Sequence, residues 1–350
     1  MSFVNSMLPV ARNVMRRAKS NRSYESAQAV IDASRRNNSI TAKDFGMAGK
    51  KRQFKMTYYA PICDVDTGAA CGANLCAPAA KIEPGQATFD LSRCTASPVF
   101  SVASDDVRKV DGDLVWGEHV AAQLAAMLPQ LRKKLARQML TLILANAGKH
   151  LDGTSGAKTV AMANSANASL NPSGLFKIER EFSDGGYEQP FVIGGGVVDT
   201  WRKSVAIGGL NAQGQRIDSL RDRDLYYDAL TNEVINAAGY DSMIAFDPQV
   251  FKFIPWSKNA GRFATDLSGI DDINKLFSMG GPNRLRGSFL DPVLNILWDL
   301  NVRYDDCEDV YNFEVELQWD IFFLPADVCN IAGVNGIMRY QTCPEEEVVC

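Results

Sequence analysis

The sequence predicts an α+β protein built around one very long helix and one very long strand. From Glu118 to about Ala147, the residues Val120, Leu124, Met127, Leu128, Leu131, Leu135, Met139, Leu142 and Ile143 recur in steps of three and four. That is the period of a helix with a single apolar stripe. From Tyr311 to Phe323, apolar and polar residues alternate, with Glu314, Glu316 and Asp320 on the polar side. That is the period of a strand with one buried face. Between the two lie Gly-rich turns and short patterns of both kinds, so neither period dominates the chain.

The helix comes first in the argument. Asp113 can cap its start and Gly148 can stop it. About 30 residues make a rod of about 45 Å, against a radius of gyration of about 20 Å for a globule of this chain length. Arg132, Lys133, Arg137 and Gln138 fall off the stripe, and Pro129 inside it is expected to kink or break the hydrogen-bond ladder. The 13-residue alternating run is a strand of roughly 43 Å. A helix and a strand of matched length, each with one apolar face, can pack along each other into an elongated plank. Enzymes rarely need such a spar; subunits of large assemblies often do.

The remaining elements follow in chain order. Residues 1–48 read as a basic arm with short helical patches at Val10 and Val14 and at Ala27, Val30 and Ile31. Phe54, Met56 and Tyr58 alternate, then Cys63–Pro84 forms a loop, and the alternation resumes at Ala87, Phe89 and Leu91, as in a hairpin with a long tip. Residues 151–174 are small and polar, suited to a surface loop or linker. Pro190–Val198 reads as a buried strand and Asp199–Ala206 as helical. Asp224–Met243 reads as a strand edge or a helix, Ser242–Phe246 and Val250–Ile254 as short strands, and Asp271–Phe277 as a short helix. Leu294 onward is strand-rich, and Met338–Cys350 reads as a short acidic terminus.

Composition narrows the class. With 350 residues, 46% hydrophobic and 22% charged, the chain is an ordinary soluble protein of two or three units. No apolar run approaches 18 residues, so no transmembrane helix and no membrane partner are expected. The N-terminus lacks a secretory h-region, so folding in a cytoplasm is expected. The net charge of −4 hides an asymmetry. Residues 1–55 carry twelve Lys/Arg against three acids, a net of +9, while residues 299–350 carry twelve acids against Arg303 and Arg339, a net of −10. Two such segments can attract each other within or between subunits. Nucleic-acid binding by the arm is the rival, but few aromatics interleave its charges, so base stacking is not indicated.

No motif supplies a catalytic set. Gly194-Gly195-Gly196 follows the apolar run Phe191–Ile193 but matches neither a dinucleotide fingerprint nor a P-loop, and a tight strand-to-helix turn explains it more simply. His119 and His150 stand at opposite ends of the long helix and cannot share a site. His119 is expected to be a surface or packing residue, and His150 to favour the negative helix C-terminus. Asp305-Asp306 and Glu308-Asp309 lack the spacing of a calcium loop. Eight cysteines, clustered as Cys63, Cys71, Cys76 and Cys94 and as Cys307, Cys329, Cys343 and Cys350, show no C-x-x-C pair. Buried free thiols are the first expectation, disulfides formed after release from a reducing cell the second, and zinc the third. No catalytic residue, metal or cofactor is expected.

This order of elements resembles the major capsid proteins of tailed bacteriophages, with the HK97-like fold. Segments such as Val192–Trp201 (VIGGGVVDTW) and Phe313–Val328 (FEVELQWDIFFLPADV) add to the likeness. The resemblance implies an N-terminal arm at 1–50 and an extended loop at 51–105. It further implies a peripheral domain with its spine helix at 106–172, an axial domain at 173–292, and peripheral-domain strands with a C-terminal tail at 293–350. It implies a non-enzymatic shell protein assembling as pentamers and hexamers in the host cytoplasm, then residing in the virion capsid around double-stranded DNA contacted without sequence specificity. Portal, scaffold or decoration proteins would be further partners, a scaffold being a separate protein. Arg12, Arg16, Arg17, Lys50, Lys51 and Arg52 are the candidates for inter-subunit contact, and Cys63, Cys71, Cys76 and Cys94 for disulfides within the loop. An encapsulin-like nanocompartment shell is the alternative, and a nucleotide-binding enzyme at Gly194–Gly196 a more distant one.

Overall fold

The computed structural model describes residues 25–48, 51–59, 84–103, 113–160, 173–207, 224–235, 241–258, 284–291, 293–325 and 333–342. The elements, in chain order, are α1 (Ser26–Arg36), β1 (Ile40–Ala48), β2 (Lys51–Tyr58), β3 (Gly85–Asp90), β4 (Arg93–Ala96), β5 (Phe100–Ala103) and α2 (Asp113–Ala145). They continue as β6 (Ala157–Val160), α3 (Ser173–Asp184), β7 (Phe191–Gly194), α4 (Gly196–Ile207), β8 (Leu225–Tyr227), α5 (Thr231–Ile235) and β9 (Ser242–Phe246). The chain closes with β10 (Phe251–Trp256), β11 (Arg284–Leu290), β12 (Leu297–Asp305), β13 (Val310–Phe323) and β14 (Ile337–Thr342). The fold is α+β. Two compact units divide it: one draws on residues up to Gln28, Leu91–Gln138 and Ile254–Asp320, the other on Ala29–Asp90, Met139–Phe253 and residues from Ile321 on.

In the first unit, β13 is the organising strand. It pairs antiparallel with β12 on one side and with β4 and β5 on the other, and β11 pairs with β12. Its 14 residues nearly match the alternating run read from the sequence. Phe313, Val315, Leu317 and Trp319 are buried, while Asn312, Glu314, Glu316 and Gln318 are only half-buried. One face is therefore dry and the other wet, as period two requires. Phe100 stacks on Phe313 across the β5–β13 pair.

The helix α2 has 33 residues, a length of about 50 Å, and runs through Pro129 as one continuous helix. Leu128, Leu131 and Leu135 are buried on its inner face. The dry face of the sheet meets this helix through a short polar row. Trp319 donates its indole N–H to Thr95 Oγ1 at 2.9 Å, and Thr95 in turn bonds Gln138 of α2. Lys134 donates to the Ala96 carbonyl at 3.0 Å.

Arg132 does not fall outside the buried face as its place in the sequence pattern implied. Its side chain is 9% exposed, and Nε and one terminal N–H donate to the two carboxylate oxygens of Asp291 at 2.8 and 2.6 Å. Asp291, fully buried, also accepts from the amides of Val293 and Leu294 and from the Trp298 indole. Five donors on one carboxylate compensate the cost of burying it.

In the second unit a mixed five-stranded sheet has the order β6-β14-β9-β7-β8. Its core face is Val192, Met243, Ala245, Met338 and Tyr340, covered by Leu175, Ile178 and Phe182 of α3 and by Val198 and Trp201 of α4. The run Pro190–Val198 is thus a four-residue strand followed by a helix, because the glycines turn the chain before the strand can lengthen. The segment read as an acidic terminus begins with a buried strand instead: Met338 and Tyr340 of β14 lie in the core, with β6 parallel on one side and β9 antiparallel on the other. Beyond Ala145, Gly148 donates its amide to Ile337 O, and a Cβ on it would lie 2.6 Å from Gly333 O. The glycine permits close backbone approach as well as ending the helix.

Replacing Asp291 with Ala is expected to lower stability by about 3–5 kcal/mol, because it strands a buried guanidinium. The double variant Arg132→Met/Asp291→Leu should recover much of that loss. Urea unfolding of the three proteins checks this.

Candidate functional site

The candidate assembly elements start at a polar root. α1 ends at Arg36, and Asn37 turns the chain into β1. Asn37 donates its side-chain amide to Gln249 O and Phe251 O at 2.9 and 2.8 Å, while its Oδ1 accepts from the amides of Ser39 and Ile40. Lys252 donates to Ser34 O and Asn37 O at 2.8 Å each, so a cation caps the carbonyl end of α1. Burial lowers the pKa of that ammonium below its ordinary value. Asn37 and Lys252 together fix where the following strands leave the unit.

Those strands form a three-stranded antiparallel sheet, β1-β2-β3. The strand β1 lies within the segment read as the basic arm. Phe54 and Met56 are buried on one face, opposite Phe89 and Ala87 of β3. A bulge between Asp44 and Gly46 shifts the β1–β2 register, and Gly46 takes φ 101° there. On the other face, Lys43 stands directly opposite Lys55. Like charges in that position destabilise a strand pair. Lys51 shares the face with Lys55 by strand alternation and is exposed.

The sequence candidates for inter-subunit contact separate here. Arg52 pairs with Asp44 inside the same sheet. Lys51 lies exposed at the start of β2, while Arg12, Arg16, Arg17 and Lys50 lie outside the described residues. Two further cations of the basic segment are also engaged at home. Arg36 makes a bidentate pair with Asp224 and sits 4.8 Å above the Phe191 ring, and Arg35 pairs with Asp32. Lys43 and Lys55 were not singled out in the sequence, because only the pairing register places them together.

The acidic segment is likewise partly neutralised. Glu316 pairs with Lys258 at 2.8 Å, Asp299 accepts from the Lys258 amide and the Ser257 hydroxyl, and Asp320 accepts from Ser92 and Arg93. Asp305 and Asp309 shape the β12–β13 turn, where Asp305 accepts the Cys307 amide, Asp309 has φ 51° and its carboxylate accepts the Tyr304 hydroxyl. Among the described residues no cluster could hold a metal ion, and no helix is long and apolar enough to cross a membrane.

Cys94 and Cys307 are free and exposed, not buried as the first expectation for the cysteines had it. Although the residue is exposed as a whole, partial burial of the Cys94 thiol raises its pKa, with Glu316 adding to the effect. Cys63, Cys71 and Cys76, the candidate disulfide partners of Cys94, lie outside the described residues, as do Cys329, Cys343 and Cys350.

The turn at Gly194–Gly196 has the strand-to-helix form a nucleotide site requires, but an internal carboxylate already occupies it. Asp241 accepts the Val197 amide at 2.8 Å and is held by the Asn232 side chain. An anion sits where a phosphate would need to bind. A Cβ on Gly194 would lie 2.4 Å from Val198 Cγ2, so close helix-to-strand packing accounts for that glycine.

His150, expected to favour the C-terminus of α2, has its ring contacts elsewhere. It is fully buried, with Nδ1 3.2 Å from Glu181 Oε1 and Nε2 3.2 Å from Gly156 O. Glu181 also accepts from the Leu151 amide, from Lys158 at 3.1 Å and from the Tyr340 hydroxyl at 3.0 Å. Burial alone would raise the Glu181 pKa, but His150 and Lys158 outweigh it and hold the carboxyl down at about 2. Burial and Glu181 together push the Tyr340 hydroxyl up. The network ties β6, α3 and β14 together.

No family model matches the chain, and no curated protein matches it in sequence. Similar solved structures include a cyanophage A-1(L) capsid asymmetric unit, 12% identical over 91% of this chain and 93% of that one, with a TM-score of 0.49. They also include a structure from Mycobacterium phage Adephagia, at 12% identity, 90% of both chains and 0.46. A virus-like particle from Pyrococcus furiosus matches at 11% identity, 91% and 98% coverage and 0.35. None of the three reaches a TM-score of 0.5, so these likenesses carry no weight in assigning a function.

Glu181 supplies a pH test. Its folded pKa lies below the ordinary 4.5, so its contribution to stability is fully present above about 4.5 and is lost as pH falls toward 2. Thermal melts across that window should show Glu181→Gln less stable than wild type at pH 6, with the gap closing as pH drops.

Proposed function

We propose that this chain is the major capsid protein of a tailed bacteriophage, a non-enzymatic HK97-like subunit. It would self-assemble as pentamers and hexamers into an icosahedral shell around double-stranded DNA. The observation that carries the proposal is the run of elements in one chain. A three-stranded sheet rooted by Asn37 and Lys252 precedes a 33-residue helix, and the chain later returns through a 14-residue strand. β2 and β3 would lie in the extended loop at 51–105, α2 would be the spine helix, β12 and β13 the strands of the peripheral domain, and β7, β8 and β9 would lie in the axial domain at 173–292. Residues 1–50 would include the arm that overlaps a neighbour.

Electrostatics supports an assembly role over a solitary one. Lys43 opposite Lys55 places like charges side by side, which mildly destabilises the isolated chain. A carboxylate from a neighbouring subunit would turn that cost into attraction. Many contacts of this strength, repeated around a closed shell, sum to a stable particle. Such a particle belongs to the virion, with portal, scaffold or decoration proteins as further partners.

Expression of the chain alone, with negative-stain electron microscopy and light scattering, tests the reading. Closed shells or rings of five and six subunits are expected, and nucleic acid inside them separates a genome shell from a cargo compartment of the encapsulin kind. The variant Lys43→Glu sharpens the test. It should raise the melting temperature of the unassembled chain slightly, because an opposite-charge pair replaces a like-charge one, and yet slow or abolish particle formation. Particles forming at the wild-type rate would remove this sheet from the assembly interface.

A further inference from the structure

Buried carboxylates in this chain are not all met alike. Asp291 and Glu181 each face a cation. Asp247, 4% exposed in the turn between β9 and β10, does not. Its Oδ1 accepts the Gln249 amide at 2.8 Å and its Oδ2 the Glu188 amide at 3.3 Å, and among the described residues no cation pairs with it. The charged group that acts on it is a second carboxylate, that of Glu188 in the loop between α3 and β7. Lys252 of β10 gives its ammonium to Ser34 O and Asn37 O instead. Just before β14, the Gly336 carbonyl accepts the Asp247 amide, and the Tyr187 ring packs so close that a Cβ on Gly336 would lie 2.9 Å from it. Burial pushes the Asp247 carboxyl above its ordinary value and Glu188 adds to the push, while the two amide bonds oppose it without cancelling it. A carboxylate without a counter-charge is costly in a dry site.

The turn that Asp247 shapes is also an anchor of the three-stranded sheet. Val250 donates its amide to Asp247 O at 3.3 Å and closes the turn around Pro248 and Gln249. Gln249 then holds each of the three residues leading into β1. Its carbonyl accepts from the Asn37 side chain at 2.9 Å and from the Ser39 hydroxyl at 3.2 Å, and its Oε1 accepts the Asn38 amide at 3.3 Å. Its Nε2 lies 3.5 Å from both carboxylate oxygens of Glu188. A titratable group without a counter-charge thus stands two residues from the one that grips the whole lead-in to β1.

We propose that Asp247 is a proton-operated catch on the root of the three-stranded sheet. With its proton bound, the turn is neutral and holds Asn37, Asn38 and Ser39 through Gln249. With the proton lost, a bare charge beside Glu188 favours opening of the turn toward water, and the hold on β1 loosens. The neutral carboxyl keeps an oxygen for the Gln249 amide, so protonation removes a charge without removing that bond. The sign follows from linkage. A carboxyl whose folded value is raised contributes stability that is fully present below the ordinary 3.8 and is lost as pH rises through the raised value. The catch is a property of the folded chain and does not rest on the capsid reading.

Hydrogen exchange of the full-length chain, followed by mass spectrometry from about pH 4 to about pH 8 and corrected for the intrinsic rate, reads such local opening. In the wild type, protection over β1 and β2 should fall as pH rises, by up to about tenfold per pH unit while Asp247 titrates. α3 should stay protected throughout. Asp247→Asn, which keeps a side-chain oxygen for the Gln249 amide, should hold the low-pH protection across the whole range. Glu188→Gln should move the fall to lower pH, because one source of the raised value is gone. Glu188 is exposed, so this variant gives a readout even if Asp247→Asn does not fold. A wild-type profile that is flat with pH overturns the proposal, as does a wild-type profile in either variant. A fall shared equally by α3 also overturns it, because it would report unfolding of the whole unit rather than release of one root.

Discussion

One carboxylate, Asp291, decides how the first unit is assembled. It receives Arg132 from α2, the amides of Val293 and Leu294 from its own turn, and the Trp298 indole from β12. The same turn is closed by backbone bonds from Asn295 N to Asp291 O and from Asp291 N to Ile296 O, and Asn295 takes φ 52° within it. The hairpin that aligns β11 with β12 and the rotation of the helix about its own axis therefore depend on one anion. Apolar stripes tolerate sliding by a turn, since Leu128, Leu131 and Leu135 would meet similar surfaces in the next register. A buried ion pair does not, because a shifted Arg132 would leave Asp291 unpaired in a dry site.

The second unit uses the same device twice. Glu181 gathers the loop residues His150 and Leu151, Lys158 of β6 and Tyr340 of β14, and Asn37 with Lys252 fastens the end of α1 to the backbone around β10. In each case a polar hub sits at the edge of an apolar core and supplies the direction that the core lacks. Hydrophobic burial provides most of the free energy, and these hubs select one arrangement from those that bury similar area.

The elements most legible in the sequence were those whose pattern is local and long. Period 3.6 over α2 and period two over β13 identified both within a few residues, because Leu128, Leu131 and Leu135 on the helix and Phe313, Val315, Leu317 and Trp319 on the strand turn one face to a core. Interrupted patterns hid the rest. β1, ITAKDFGMA, carries a bulge at Asp44–Gly46 that breaks its alternation, so it was absorbed into the arm. β14 was masked by the acids that follow it in sequence, although its own residues include none. The candidate site was less legible than the fold. Arg132 and Asp291 are 159 positions apart and Asn37 and Gln249 are 212 apart, so nothing local marks either residue as buried and bonded. His150 was misplaced for the same reason, its nearest carboxylate being 31 positions away.

Charge placement separates what this chain completes by itself from what it leaves for a partner. At the buried carboxylates Asp291 and Glu181, an opposite charge meets each and donors surround it. On one solvent-facing surface the rule is reversed: Lys43 faces Lys55 across a strand pair. That placement opposes folding of the isolated chain by a small amount and is not needed to fill a core. A folded protein tolerates small costs of this kind, since surface charges contribute little either way. The cost becomes informative when it falls on an element the fold holds in place. A carboxylate or phosphate brought to such a surface gains attraction to both cations already in position, without paying to order them. The rooted sheet thus holds Lys43 and Lys55 side by side in positions where an anion could meet both at once.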